Sequence, residues 1–121
     1  MAGPRQPPSI DAYGGGGFRV SGVWRPGSLL IVDDKPADWS ATSLAALTDE
    51  DFAGVFDAPA GSVEFVLLGT GRDQALPPKA VRDAIRSRGL GLEFMASEAA
   101  ARTYNVLAAE GRRLAAALIA V

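Results

Sequence analysis

Histidine and cysteine are both absent from the 121 residues. Their absence excludes histidine- or cysteine-ligated zinc, iron–sulfur clusters, haem held by either residue, disulfides, cysteine nucleophiles and every histidine-based triad. No cofactor or metal is therefore expected. Long hydrophobic runs are missing too: the most apolar stretch, Leu114 to Val121, is far short of the ~20 residues that span a bilayer. The opening Met1 to Ser9 lacks the apolar region of a secretory signal, so a cytoplasmic location is expected. Nor is there an excess of positive charge. The net charge of −2 points away from nucleic acid. What is present is ordinary for a globular protein: 48% hydrophobic and 21% charged residues, in a length that suits one domain.

Charge is unevenly spread. Arg5, Arg19 and Arg25 outweigh Asp11 in the first quarter, whereas residues 33–64 carry Lys35 among a block of Asp and Glu. The remainder is basic again, and Arg greatly outnumbers Lys throughout. Solvated faces account for such a split without a site.

Residues 1–9, rich in proline, read as a loose tail, and residues 10–121 as a single domain. Ile10–Tyr13 and Phe18–Trp24 read as two strands joined by the glycine run Gly14–Gly17. That run leads into a strand, not a helix, so it is a hairpin turn and not a phosphate cradle. Ser28–Val32 reads as a buried strand ended by Asp33-Asp34-Lys35-Pro36, and residues 36–47 as irregular. Thr48 and Asp51 form a capping pair opening a helix with Phe52, Val55 and Phe56 on its apolar face. Val63–Leu68 is a second buried strand. A helix follows Pro77-Pro78 and stops at Gly89, and Leu90–Met95 is a third strand.

Ser97 is an N-cap candidate for a long last helix running from Glu98 to about Ala120, with Ala100, Tyr104, Leu107, Gly111, Leu114 and Leu118 as its core stripe. Gly111 there would cost about 1 kcal/mol and implies close packing. The alternation of strands and helices predicts an α/β fold. It has three layers, a mixed and mainly parallel central sheet built by right-handed crossovers, an N-terminal antiparallel hairpin and a long C-terminal helix.

Three groups of polar residues could carry chemistry. Gly69-Thr70-Gly71-Arg72 follows a central strand, where ligands of open parallel sheets gather, and offers backbone N–H groups, a hydroxyl and a guanidinium to an anion. It lacks the Lys-Ser/Thr of a phosphate loop and the third glycine of a dinucleotide loop, so a structural turn is the alternative. Asp33, Asp34 and Tyr104 could act as acid or base if they converge, or stand as a solvated strand end and a core tyrosine. Arg102 and Asn105 lie early on the last helix, and Glu98 can pair with Arg102 at i, i+4.

The segments Ile10-Asp11-Ala12-Tyr13-Gly14, Gly17-Phe18-Arg19-Val20, Leu67-Leu68-Gly69-Thr70-Gly71 and Arg102-Thr103-Tyr104-Asn105-Val106-Leu107 together resemble the domain of unknown function 498 family, the Mth-type domain proteins. Relatives in that family include mitochondrial respiratory complex I assembly factor 3 and an adipogenesis-associated Mth-domain-containing protein. The resemblance implies a three-layer α/β fold and no established enzyme activity. This chain departs from the family pattern at Ala96 and Ala101, where the family has Asp and Cys.

The resemblance implies a non-catalytic binding or assembly protein, a counterpart of the complex I assembly factor. Its partners would be complex I subunits or assembly factors, met at the inner membrane through those partners. The alternative is a small anionic ligand held by Gly69, Thr70, Gly71 and Arg72 with Arg102, Tyr104 and Asn105. An acid–base enzyme using Asp33, Asp34 or Tyr104 is the third reading. Oligomeric state stays open.

Overall fold

The structure, a computed structural model, describes residues 5–121. The first four residues of the expected tail lie outside the described residues, and residues 5–9 have no regular structure.

Alternation builds a small sheet first. In β1 (Ile10–Gly14), β2 (Gly17–Val20) and β3 (Val23–Pro26), Ile10, Phe18 and Val20 turn inward. The strands pair antiparallel in the order β1-β2-β3. The glycine run is the β1–β2 turn, with positive φ at Gly15 and Gly16. The expected single strand Phe18–Trp24 is instead broken at Ser21-Gly22, whose φ of 46° and 83° make a tight reversal and send β3 back along β2.

The main sheet has five strands in the order β5-β4-β8-β6-β7. β4 (Ser28–Val32) turns into β5 (Lys35–Trp39) through Asp33 and Asp34, at φ 52° and 63°. The acids therefore make a hairpin turn rather than a strand end, and part of the stretch expected to be irregular is a strand. β6 (Phe65–Gly69) and β7 (Gly91–Met95) are parallel and joined through α2 (Lys79–Ser87). A short 3-10 turn, Asp49–Phe52, and α1 (Ala53–Phe56) precede β6. The Asp51 carboxylate accepts the Thr48 N–H at 2.9 Å, the reciprocal half of the expected capping pair.

The expected long last helix does not run to Ala120. α3 covers Ser97–Ala109, the chain turns at Gly111 (φ 83°), and Leu114–Leu118 is β8, the centre of the main sheet. β8 pairs antiparallel with β4 and parallel with β6. It therefore separates two strands, β4 and β6, that a simple crossover would have placed side by side and parallel; they run in opposite directions. The helix-compatible spacing of its leucines lost to the sheet, whose central slot needs residues buried on both faces. Gly111 is thus a helix stop rather than a packing glycine.

Each central strand feeds both faces of the main sheet. Leu29, Ile31, Leu67, Ala116 and Leu118 pack with the small sheet and with Ala100, Tyr104 and Ala108 of α3. On the other face Val66, Leu68, Ala115 and Ala117 meet Trp39, Phe52, Val55, Val81 and Ile85. The result is three layers: α1 and α2, the main sheet, then α3 with the small sheet.

Candidate functional site

The parallel strands β6 and β7 end side by side, and the loop Gly69–Arg72 leaves from there. Ser97 sits at the centre of this corner, fully buried. Its hydroxyl donates to the Ile119 carbonyl at 2.6 Å and accepts the Gly71 N–H at 3.0 Å. Its own N–H donates to the Gly71 carbonyl. Ser97 is therefore not the N-cap of α3. The cap position is Ala96, and the Ser97 side chain ties three chain segments together.

Thr70 is engaged as well. The Thr70 N–H donates to Met95, and the Thr70 hydroxyl donates to Asp73 at 2.6 Å. A Cβ on Gly69 would come within 2.8 Å of both the Ser97 hydroxyl and a Leu118 methyl, which explains the glycine by close approach. The N–H groups of Thr70 and Gly71 are thus spent inside the fold, whereas the exposed Arg72 side chain takes part in none of the four ion pairs of the described residues.

The other expected site residues point elsewhere. Arg102 is exposed and donates to Glu98 at 2.9 Å, the expected i, i+4 pair. The Tyr13 hydroxyl and Arg102 together hold Glu98 below its ordinary range, and Glu98 in turn pushes Tyr13 up. Asn105 faces β1: its amide accepts the Ile10 N–H and donates to the Ile10 carbonyl, both at 2.8 Å. This is a side chain mimicking a neighbouring strand.

Tyr104 lies on the buried side of α3 at 1% exposure, and its hydroxyl has no hydrogen-bond partner. Burial raises its pKa, the Asp34 charge raises it further, and Arg5 partly offsets both. Arg5 grips Asp34 with two N–H groups at 2.9 and 3.1 Å and reaches the Gly111 and Arg112 carbonyls with a third. Arg5 is therefore a clamp between Asp34 in the β4–β5 turn and the exit of α3. The seven candidate residues divide into a sealed loop, a surface pair, a strand staple and a core tyrosine.

One feature escaped the sequence reading. An open cavity of about 330 Å³ lies near the ends of α1 and α2, lined by Phe56, Pro59, Gly61, Val63, Arg88 and Leu90. The Arg88 guanidinium carbon lies 4.2 Å from the Phe56 ring centre. It sits where β6 and β7 begin, the opposite edge from the one ligands of parallel sheets usually occupy. Apart from Arg88 the side chains that line it have no titratable group, so no acid–base pair is assembled there.

The comparisons agree with this architecture. The family model "Protein of unknown function (DUF498/DUF598)" matches residues 10–119. An uncharacterized protein of Rhodobacter capsulatus is 40% identical, over 91% of this chain and 82% of that protein. NADH dehydrogenase (ubiquinone) 1 alpha subcomplex assembly factor 3 of Bos taurus is 35% identical over 91% of this chain, which spans 59% of the assembly factor's length. Among solved structures, one described as an outer membrane protein from Bartonella henselae superposes with a TM-score of 0.86. It is 35% identical, covering 95% of this chain and 96% of its own. A Bordetella pertussis protein described as a Mth938-like domain superposes with a TM-score of 0.76 at 29% identity, covering 98% of this chain and 92% of its own. With nearly the whole folded chain matched, the protein belongs to the DUF498/DUF598 family of proteins of unknown function.

Proposed function

We propose that the protein is a non-catalytic, protein-binding factor that acts in assembling a respiratory NADH dehydrogenase. The observation that carries this is the similarity to assembly factor 3, which runs through the whole folded part of the chain. The site geometry supports it. Of the three groups that could have done acid–base chemistry, two are committed to the fold, Asp34 to Arg5 and Tyr104 to the core. An anionic ligand at Gly69–Arg72 has less support, because the N–H groups of Thr70 and Gly71 already have partners. Among the described residues no helix is long and apolar enough to cross a membrane. On this reading the factor works beside the membrane, reaching the inner membrane through the subunits it binds.

Deleting the gene in the organism of origin and resolving its membranes on native gels tests the proposal. The assembled dehydrogenase is expected to fall, and both the wild type and Tyr104→Phe are expected to restore it. A full complement of dehydrogenase without the gene would overturn the assembly role. Failure of a folded Tyr104→Phe variant to restore it would overturn the non-catalytic one.

A further inference from the structure

The fold has four sheet edges, and three of them are closed to further strands. Along β1 the amide of Asn105 already occupies the N–H and C=O of Ile10, and the pairing with β2 is bulged between Ile10 and Ala12. β3 ends in Pro26 and carries Arg25, paired with Asp38. β5 carries Lys35, Pro36 and Asp38 within five residues. Charges, prolines and bulges are how proteins keep sheet edges from recruiting strands.

β7 has neither proline nor bulge, and its one charge is Glu93. Its sequence is Gly-Leu-Glu-Phe-Met, and it pairs with β6 in unbroken register from Phe65↔Gly91 to Gly69↔Met95. The direction of its free groups follows from two bonds. The Gly91 N–H donates to Glu64 and the Met95 carbonyl accepts from Thr70, both on the β6 side. In a parallel pair, alternate residues turn both backbone groups to the same neighbour. Gly91, Glu93 and Met95 therefore face β6, and Leu92 and Phe94 present their N–H and C=O to the open side. No side chain or loop among the described residues bonds those groups. The Leu92 and Phe94 side chains are half-buried, while Glu93 is exposed between them and outside the ion pairs of the described residues.

We propose that the open edge of β7 is where the partner binds, by adding an extended segment of apolar–basic–apolar pattern as a sixth strand with its Lys or Arg opposite Glu93. This rests on the protein-binding reading above and locates its contact. Main-chain bonds to Leu92 and Phe94 supply the attachment, and side-chain pairing selects the segment. Charge argues against a second copy of this chain. The two-fold antiparallel register that pairs all of β7 sets Glu93 directly opposite its own copy, a destabilising arrangement. A basic residue in the same place is stabilising.

The test uses the purified protein and a capped nonapeptide of alternating threonine and valine with lysine at its centre, beside the same peptide with glutamate there. Amide exchange is read by NMR. The lysine peptide at millimolar concentration is expected to slow exchange at Leu92 and Phe94 at least tenfold, leaving Gly91 and Glu93 unchanged, and the glutamate peptide is not. Glu93→Lys is expected to reverse that preference. Leu92→Pro removes an outward N–H without touching the ladder to β6, so it is expected to abolish protection while the fold persists. No protection by either peptide in the folded wild type would overturn the proposal. So would protection that rises with protein concentration alone, the signature of self-pairing. Either result leaves the gel assay of assembly to stand or fall by itself.

Discussion

Ser97 offers the sharpest test of how the β6 loop is held. Replacing it with alanine removes one hydroxyl and strands two buried groups, the Gly71 N–H and the Ile119 carbonyl. A buried donor or acceptor left without a partner costs about 1–3 kcal/mol. Neither group is near enough to water to be rescued cheaply, because Ser97 is 0% exposed. The combined loss should be about 3 kcal/mol after the surrounding chain relaxes. With a melting entropy of roughly 2 cal/mol/K per residue, a chain of this length shifts by about 4 °C per kcal/mol. Ser97→Ala should therefore lower Tm by about 12 °C in a circular dichroism melt. It should also speed exchange at the Gly71 amide. Ser87→Ala is the control: its hydroxyl bonds Ala84 on the exposed face of α2, and its loss should stay within about 0.5 kcal/mol. A Ser97→Ala protein that melts within about 3 °C of wild type would refute the reasoning. Gly71 and Ile119 would then have found other partners.

Two further predictions follow from the surface groups. Asn105→Asp keeps the acceptor for the Ile10 N–H but puts a carboxylate against the Ile10 carbonyl. It should destabilise by about 1–3 kcal/mol, and β1 amides should exchange faster before the rest of the sheet does. Asp11, Asp83 and Glu98 are held below their ordinary values of 3.8, 3.8 and 4.5, chiefly by hydrogen bonds from Ser9, Lys79 and Tyr13 respectively. Depressed carboxylates add stability above their unfolded pKa and lose it as pH falls through the folded one. Tm should therefore hold above about pH 5 and fall progressively below about pH 4. Salt should reduce the fall, since all three groups are exposed.

Much of this fold was legible in the chain. Continuous apolar runs marked β4 and β6, glycine marked the β1–β2 turn, and Pro77-Pro78 with the stop at Gly89 marked α2. The reading failed where two states satisfy the same pattern. Leu114-Ala-Ala-Ala-Leu118 has the composition of a good helix and continues the spacing of α3. Only the sheet, with β4 and β6 both needing a neighbour, decides for a strand. The signal that could have warned of it was Gly111-Arg112-Arg113, a helix stop followed by two charges before an unbroken apolar run. β3 and β5 were missed because Ser21-Gly22 and Asp33-Asp34 are two-residue hairpin turns without the usual Asn-Gly.

The candidate site was less legible than the fold. Gly69-Thr70-Gly71 has the composition of an anion loop, but the residues that occupy its donors, Met95 and Ser97, are distant in sequence. Asn105 looked like a functional side chain because nothing local shows that β1 lies against it.

The position of β8 also bears on how the protein is made. The strand that joins the two halves of the main sheet is synthesised after every strand it touches. A bond as central as the one from Ala120 to Ser28 closes a loop of 92 residues. While the ribosome is still short of Leu114, β4 and β6 each have an unpaired side and no common neighbour. Contacts this distant in sequence slow folding, and open strands in a nascent chain are prone to aggregate. The protein should thus complete its main sheet late, only once β8 has emerged from the ribosome. A chaperone that shields strand edges would act on it in that interval.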